Sequence, residues 1–388
     1  MIEMSNEIAE KSEGHYYTNP YQVYQATCLM CSPNAQDILI SAPGSGKTYV
    51  MLLAVSFALD NAEQFDRCVI YSSEEIVVQQ ILQKVKLFPC EDDVVVTSEW
   101  EPWEWRNTYQ KALYVIDEAE TLIADKLVDL NEDGYNGLVA LNDKVIWMFT
   151  ATLTDYYRES LKAAFGFGDS VFHRFVTPQK LVGDEDPVQR IEVVLQRSNE
   201  ESKTAFYSTV TTKAAQGPVI VFIAKDDEEI IEELKGILLS KTINVVQLQQ
   251  EEFDALTLAI QAISKQEGVF ILSERLARGF DLKFAKSAFV AIFADKFYYM
   301  SSTIYQMIGR ANRNQDVQTG RVHCTFGSMV ESVTDWDFYL DRERLGFNAF
   351  GLKILRALIL VYNELTQKQR TELGVKLQGD TWSKYTRV

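Results

Sequence analysis

A glycine-rich segment near the N-terminus has the residue types that bind a polyphosphate. Residues 41–48 read Ser-Ala-Pro-Gly-Ser-Gly-Lys-Thr and come directly after an apolar run at 38–40. Its glycines allow a tight turn in which successive backbone N–H groups face one anion, and the dipole of a following helix favours the same anion. Lys47 would reach the terminal phosphates, and Thr48 would place its hydroxyl on magnesium. The predicted phosphate-binding residues are Ala42, Pro43, Gly44, Ser45, Gly46, Lys47 and Thr48.

Two adjacent acids, Asp117 and Glu118, follow a second apolar run at 113–116. At the end of a buried strand, Asp117 could hold the metal ion from the other side, and Glu118 could orient an attacking water. Taken singly, a glycine turn or a pair of acids is often only a solvated loop. A lysine and a threonine that open a helix straight after such a turn are hard to explain by packing. We therefore expect a site that binds a nucleoside triphosphate with magnesium and hydrolyses it.

Alternating apolar and amphipathic segments are expected to position these residues. Strands are predicted at 37–40, 68–72, 94–97, 113–116 and 145–150 in the first half, and at 191–195, 219–223, 244–248, 269–273, 288–293 and 321–326 in the second. Helices are predicted at 47–59, 75–85, 227–239 and 303–311. Short apolar strands separated by amphipathic helices imply parallel sheets covered on both faces. The predicted fold class is therefore α/β, with two doubly wound sheets.

The length of 388 residues suits two domains with a short appendage. An acidic stretch with prolines separates the two alternating regions and has the composition of a linker. We predict an ATP-binding domain at 1–178, a linker at 179–189, a second domain at 190–345 and a tail at 346–388. Leucines recur at helical spacing in the tail, which predicts an amphipathic helix. Two similar halves joined by a hinge would leave a cleft between them.

The composition limits the partners of the chain. Its net charge of −17 opposes general binding to nucleic acid, so any such contact would depend on local basic clusters or backbone N–H groups and on salt. No apolar run approaches membrane-spanning length, and residues 1–14 lack the features of a targeting signal. We expect an intracellular protein without a membrane partner. The lone CxxC at 28–31 favours reduced thiols over a zinc site, which would need two more ligands.

The order of the motifs resembles that of superfamily 2 helicases, particularly the DEAD/DEAH-box and Ski2-like groups, over about 21–313. Residues 117–120, Asp-Glu-Ala-Glu, look like the DEAD/DEAH box. Residues 150–152, Thr-Ala-Thr, resemble the motif that links hydrolysis to strand separation. In the second half, 273–281 is similar to the family's T-D-x-x-A-R-G-x-D stretch, and 306–313 is similar to its QxxGRxxR motif.

The resemblance implies two RecA-like domains with ATP and Mg²⁺ in the cleft between them. It implies that Gln306, Arg310 and Arg313 complete the site from the second domain, where Gly279 and Asp281 would sense the nucleotide. An arginine that arrives on closure would stabilise the charge that spreads over the γ-phosphate during transfer. The motifs that contact nucleic acid, or couple it to hydrolysis, fall on Ser73, Thr97, Ser98, Thr150, Thr152, Ser273 and Arg278.

Three assignments stay open at this point. The glutamine that reads adenine in the family could be Gln22 or Gln25, because both stand at a suitable distance before the glycine-rich loop. Glu74 stands where the family carries the arginine of a strand-binding motif, which puts a phosphate contact there in doubt. Three tryptophans could either stack on the bases of a single strand or pack under a loop, namely Trp100, Trp103 and Trp105.

These patterns predict a minimal two-domain helicase that acts as a monomer on single-stranded or partly duplex DNA or RNA. Partner proteins could supply its specificity. Such compact chains also occur among viral and phage helicases, in which case the host cytoplasm would be its location. One alternative is a nucleic-acid-stimulated remodelling ATPase or translocase that does not separate strands, which the negative charge favours. The other is a non-catalytic interaction module, against which Lys47, Asp117, Glu118, Arg310 and Arg313 argue together.

Overall fold

The computed structural model of the chain contains two α/β units, Met1–Pro178 and Gln179–Val388. The residues that it describes are 20–41, 46–60, 64–122, 132–151, 158, 161–162, 165–166, 168, 171–175, 191–197, 200–223, 227–248, 268–277, 289–294, 306–307, 310 and 320–326. Each unit is built on one six-stranded sheet in which neighbouring strands are parallel. The predicted α/β class with two parallel sheets is confirmed.

The sheet of the first unit has the strand order β3-β2-β4-β5-β1-β6. Its strands are β1 (Gln36–Ser41), β2 (Arg67–Tyr71), β3 (Val94–Thr97), β4 (Ala112–Asp117), β5 (Val145–Thr150) and β6 (Phe172–Phe175). Its helices are α1 (Pro20–Met30), α2 (Lys47–Leu59), α3 (Glu75–Val85), α4 (Pro102–Thr108) and α5 (Glu132–Ala140). Because parallel strands need crossover connections, helices run between them over the faces of the sheet.

The core of the first unit lies on its central strands. Every residue of β4 is buried, as expected for a strand that helices cover on both faces. The run 50–55 in α2 is also wholly buried, so this helix is enclosed rather than amphipathic. Helix α1 packs against α2 and covers part of it. This packing holds the beginning of α2, and the lysine that opens it, in a definite place beside the sheet.

The sheet of the second unit has the strand order β7-β12-β11-β8-β10-β9. Its strands are β7 (Ile191–Arg197), β8 (Val219–Ile223), β9 (Val245–Leu248), β10 (Val269–Leu272), β11 (Phe289–Ala294) and β12 (Gly320–Phe326). Two described helices, α6 (Glu200–Ala214) and α7 (Glu228–Ser240), cover part of it. Helix α7 buries Ile230, Leu234 and Leu238, which recur on one face, and keeps its glutamates outside.

The predicted elements agree with the structure where the pattern was strong. The eleven predicted strands are present, with ends that agree with the prediction or differ from it by at most two residues. Strand β6 was not predicted, because Phe-His-Arg-Phe is too short and polar to indicate a strand. Helices α1, α4, α5 and α6 were also not assigned from the sequence. The predicted linker at 179–189 and the helical tail at 346–388 lie outside the described residues, as does most of the helix predicted at 303–311.

None of the helices in the described part of the chain is long and apolar enough to cross a membrane.

Candidate nucleotide site

The carboxyl ends of three neighbouring strands bring the predicted site residues of the first unit to one edge of the sheet. Strand β5 lies between β1 and β4, with Ile40 of β1 opposite Thr150, and Asp117 of β4 opposite Phe149. Neighbouring strands lie about 4.8 Å apart, so β1 and β4 are separated by about 10 Å at this edge. That spacing leaves room for a phosphate group and a metal ion between the end of β1 and the acidic pair.

Gly46 forms the junction between the loop and α2. Its φ of 86° lies in the left-handed region, where a side chain is strained. Its carbonyl accepts hydrogen bonds from the N–H groups of Tyr49 and Val50 and so begins the helix. A Cβ at this position would overlap the amide nitrogen of Gln22. The left-handed backbone therefore favours glycine here, whereas the flexible end of the Gln22 side chain could move aside. The predicted loop residues outside the described part of the chain are Ala42, Pro43, Gly44 and Ser45.

The side chain of Lys47 links the two sequence motifs. Its Nζ lies 3.5 Å from the carbonyl oxygen of Ser41 at the end of β1, to which it donates. The same atom lies 4.0 Å from Oε1 of Glu118. Both side chains of this ion pair are largely buried, with 10% and 7% of their surface exposed. The lysine is thus held between the strand that precedes the loop and the acidic pair. Thr48 follows it in the first turn of α2.

Asp117 and Glu118 are two buried carboxylic acids side by side, 4% and 5% exposed. Burial, together with the charge of Glu118, raises the pKa of Asp117 to about 7, and the charge of Lys47 opposes this shift. Oε2 of Glu118 has no hydrogen-bond partner among the described residues. When both acids are ionised beside Lys47, a net negative charge remains, which a divalent cation would neutralise. The oxygen donors of this edge therefore fit Mg²⁺.

The backbone at Glu118 adopts a conformation that is uncommon for a residue with a side chain. Its φ is 51°, in the left-handed region. The carbonyl of Glu118 accepts hydrogen bonds from both the N–H and the hydroxyl of Thr121, each at 2.9 Å. This turn stops β4 abruptly and turns the carboxylate of Glu118 toward Lys47 instead of along the strand. A strained residue held by its neighbours is typical of functional sites.

The two glutamines that the sequence left open differ in their surroundings. Gln22, on α1, is 8% exposed and its amide lies against Gly46 at the beginning of α2. Gln25, one turn further along α1, is fully buried, and neither of its amide atoms has a hydrogen-bond partner in the described part of the chain. A ligand that occupies the glycine-rich loop would meet Gln22. The geometry therefore favours Gln22 over Gln25 as the residue beside a bound nucleotide.

Lys84 is a residue near the site that the sequence analysis missed. It lies on α3, and its Nζ stands 5.4 Å from the centre of the Tyr49 ring. Its charge lowers the pKa of Asp117, after the larger effect of Lys47 in the same direction. The sequence contains no signal for this role, because a lysine in the last turn of an amphipathic helix is usually solvated.

The predicted strand-contacting residues of the first unit lie at the same edge of the sheet, beside β2 and β3. Ser73 follows β2, and Thr97 ends β3 opposite Tyr71. The hydroxyl of Thr97 accepts a hydrogen bond from the N–H of Glu99 at 3.0 Å. The hydroxyl of Ser98 donates to Oε2 of Glu75 at 2.6 Å. Two of the predicted hydroxyl contacts are thus already engaged within the chain. In the coupling motif, Thr150 is fully buried at the end of β5, and Thr152 lies outside the described residues.

The three tryptophans have different environments. Trp105 is 7% exposed and belongs to the core. Trp100 meets it edge to face, with ring centres 5.3 Å apart, and donates its indole N–H to the carbonyl of Asp133 at 3.3 Å. Trp103 is half exposed, at 51%. Packing under a loop therefore describes Trp100 and Trp105, and base stacking remains an interpretation for Trp103 alone.

In the second unit, Arg310 contacts the segment that precedes Arg278. Its guanidinium is 4% exposed, and both Nε, at 3.1 Å, and Nη2 donate to the carbonyl of Ala277. Gln306 is 2% exposed, and its Nε2 has no hydrogen-bond partner among the described residues. The hydroxyl of Ser273, just after β10, is buried and likewise has none there. The predicted residues of this unit that lie outside the described part are Arg278, Gly279, Asp281 and Arg313.

No family model matches the chain, and no curated protein matches its sequence. Solved structures do match it over almost their whole length. Dbp5 of S. cerevisiae, bound to RNA and ADP BeF3, is 16% identical with a TM-score of 0.61, and the match covers 93% of this chain and 92% of that one. The DEAD-box helicase Mss116, bound to ssRNA and UDP-BeF, is 13% identical with a TM-score of 0.63, over 96% and 92%. Mss116p bound to ssRNA and AMP-PNP is also 13% identical, with a TM-score of 0.57 over 96% and 94%.

At an identity this low, the matches show a similar fold and nothing more. This fold agrees with the two RecA-like domains that the sequence motifs implied. Two parallel six-stranded sheets follow one another in the chain. The match extends over both units rather than over the first alone. The chain therefore has two RecA-like domains in tandem, the fold of the solved structures that it matches.

Proposed function

We propose that the chain is an ATP-dependent helicase of superfamily 2, which hydrolyses ATP with Mg²⁺ to move along or separate strands of nucleic acid. One observation carries the proposal. The ammonium group of Lys47 lies between the end of β1 and the buried pair of Asp117 and Glu118, at one edge of the sheet. A cation, an acidic pair and a glycine junction in this arrangement suit the transfer of a phosphoryl group.

Each residue of the first unit has a role that its position supports. Gly46 and the N–H groups at the beginning of α2 face the phosphates, and Lys47 neutralises their charge. Thr48 and Asp117 would hold Mg²⁺, which would supply positive charge to the phosphoryl transfer. Glu118 orients the attacking water and accepts its proton as the new oxygen–phosphorus bond forms. ADP and inorganic phosphate are the products.

We propose that the second unit completes the reaction through Gln306, Arg310 and Arg313, with Gly279 and Asp281 as sensors of the nucleotide. A guanidinium that approaches the γ-phosphate stabilises the negative charge of the transition state. Arg310 donates to the carbonyl of Ala277 in the described structure, so it would exchange that oxygen for a phosphate oxygen. Hydrolysis would then depend on the movement that delivers the arginine.

The base of the nucleotide would contact Gln22, whose amide lies beside Gly46. An amide can donate to one polar atom of adenine and accept from another, which discriminates adenine from guanine. Dbp5 and Mss116 are bound to RNA and ssRNA in the matching structures, and we propose RNA as the first strand to test for this chain. We expect a monomer with partner proteins that supply specificity.

A second candidate function is a remodelling ATPase that moves along nucleic acid without separating strands. Two observations favour it, the net charge of −17 and the engagement of the Ser98 hydroxyl by Glu75. Both weaken the grip on a phosphate backbone, which strand separation requires. An unwinding assay run beside a hydrolysis assay separates the two candidates.

The decisive experiment measures ATP hydrolysis with single- and double-stranded RNA and DNA at low and moderate salt. Replacing Lys47 with alanine, or Glu118 with glutamine, should lower turnover by at least about 100-fold, because each removes a group that acts on the transferred phosphoryl. Lys111→Ala, which removes an exposed lysine of the same unit, is the matched control and should leave turnover unchanged. Unchanged turnover in the Lys47 or Glu118 variant would refute the mechanism. A wild-type protein without hydrolysis on any strand would favour the interaction module.

A further inference from the structure

The carboxylate of Glu75 stands at the centre of the edge where a nucleic-acid strand is expected to bind. Its Oε2 accepts the hydroxyl hydrogen of Ser98 at 2.6 Å, and its Oε1 accepts from the side-chain amide of Gln79 at 2.8 Å. Glu75 is exposed and lies in the first turn of the eleven-residue helix α3. It joins the segment after β2 to the segment after β3. Both segments belong to the predicted strand-binding motifs.

This arrangement removes the donors that a phosphate would use. A serine hydroxyl has one hydrogen to donate, and Ser98 donates it to Glu75. The N–H of Glu99 is engaged in the same way, because it donates to the hydroxyl oxygen of Thr97. The first turn of a helix attracts negative charge, and at α3 the carboxylate of Glu75 supplies that charge. A carboxylate of the chain thus takes the interactions that an incoming phosphate would otherwise take.

The charges around Glu75 act in the same direction. Three further exposed acids follow β3, namely Glu99, Glu101 and Glu104. They are close enough to repel one another, since the charges of Glu104 and Glu99 raise the pKa of Glu101. Residues 72–83 and 94–104 contain no lysine or arginine. A phosphate backbone that approached this edge would meet repulsion and find the Ser98 donor occupied.

We propose that Glu75 is an affinity-determining residue, which weakens the binding of nucleic acid to the first unit by holding the Ser98 hydroxyl in place of a phosphate. This inference rests on the proposed function, because it supposes that a strand binds at this edge. It differs from a direct role for Ser98, which would make Ser98 a contact in the unmodified protein. It predicts that replacing Glu75 tightens the binding of the strand, whereas replacing Ser98 alone leaves the affinity unchanged.

The test is a set of five variants of the full chain, titrated against a fluorescently labelled single-stranded RNA in the presence of a non-hydrolysable ATP analogue. Glu75→Ala frees the Ser98 hydroxyl and removes a charge, and it should tighten binding about fivefold at about 50 mM salt, which corresponds to about 1 kcal/mol. Glu75→Gln removes the charge but keeps an acceptor for Ser98, and it should give a smaller gain. Ser98→Ala should leave the wild-type affinity unchanged, whereas Ser98→Ala in the Glu75→Ala background should lose part of the gain. Glu91→Gln, at the opposite end of β3, is the control for the change in net charge.

The outcomes separate this inference from the proposed function. Equal affinities of the wild type, Glu75→Ala and Glu75→Gln for the RNA overturn the inference. It is also overturned if Ser98→Ala lowers the affinity of the wild type as much as it lowers the affinity of Glu75→Ala. A gain from Glu91→Gln equal to that from Glu75→Gln also overturns it, since the effect would then be one of net charge. If no variant binds the strand, the inference is overturned. The assay of ATP hydrolysis then shows whether the proposed function is also wrong. Hydrolysis that RNA stimulates equally in all variants overturns the inference alone.

Melting curves of each variant identify any change that comes from unfolding, and Glu75→Gln tests the inference if Glu75→Ala does not fold.

Discussion

Replacing Asp117 with asparagine is expected to stabilise the first unit at neutral and alkaline pH. Asp117 is 4% exposed, and burial, with a further contribution from the charge of Glu118, raises its pKa from 3.8 to about 7. At a pH between these two pKa values, Asp117 is protonated in the folded chain and ionised in the unfolded chain. The stability of the folded unit that depends on the protonated form is fully present below about pH 4 and is lost as the pH rises through about 7. Asparagine has nearly the same shape and carries no charge at any pH.

The magnitude follows from the size of the shift. A change from 3.8 to about 7 is about three pKa units, and each unit is worth about 1.4 kcal/mol. The ionised carboxylate therefore costs the folded unit about 4 kcal/mol at about pH 8. The free energy of unfolding of Asp117→Asn should exceed that of the wild type by this amount at about pH 8. The difference should shrink to nearly zero at about pH 3, where Asp117 is protonated in both the folded and the unfolded state.

The assay is urea unfolding followed by tryptophan fluorescence, which reports on the first unit because Trp105 and Trp147 lie in its core. A chelator must be present, since a divalent cation would bind the ionised carboxylate and reverse the cost. Asp92→Asn, an exposed acid before β3, is the control and should show a difference that does not change with pH. A difference for Asp117→Asn that stays constant between about pH 4 and 8 would refute the reasoning. So would a wild type that gains stability over the variant as the pH rises.

Two further pairs of substitutions test the assignments that the sequence left open. Gln25→Leu should raise the free energy of unfolding by about 1 kcal/mol or more, since it removes two buried amide atoms that have no hydrogen-bond partner among the described residues. Gln22→Ala should weaken the preference for ATP over GTP by about tenfold in a nucleotide titration. An unchanged preference in Gln22→Ala would contradict its assignment. Trp105→Ala should cost about 3–5 kcal/mol in urea unfolding and Trp103→Ala less than about 0.5 kcal/mol. Equal costs would show that burial does not distinguish the two rings.

The fold was predictable because its strands are strong local signals. Short runs of β-branched and leucine residues, such as 113–116 and 219–223, are buried on both faces of a parallel sheet and have few other stable arrangements. Strand β6 gave no such signal, because its pairing with β1 at the edge of the sheet, rather than its composition, makes it a strand. The order of the strands was equally invisible in the chain, since it depends on which crossover each helix makes.

The site was predictable in its residue types and not in its contacts. Lys47, Asp117 and Glu118 were identified from motifs whose spacing is local. The proximity of Lys47 to Glu118 depends on the placement of β1 and β4 on either side of β5. The hydrogen bond from Ser98 to Glu75 depends on the pairing of β2 with β3. Neither relation is periodic in the sequence, so neither could be inferred before the sheet was known.

By itself, the sequence determined that the chain has a glycine turn before a lysine, an acidic pair after an apolar strand, and two α/β regions to carry them. Backbone conformation and hydrophobic burial follow local residue patterns, and these statements need nothing more. Only the tertiary structure decided that Gln22 rather than Gln25 lies against Gly46, and that Asp117 is buried enough for its pKa to rise. It also decided that Glu75 holds the hydroxyl of Ser98. Electrostatic and hydrogen-bond energies depend on distances between groups far apart in the chain, and folding alone establishes those distances.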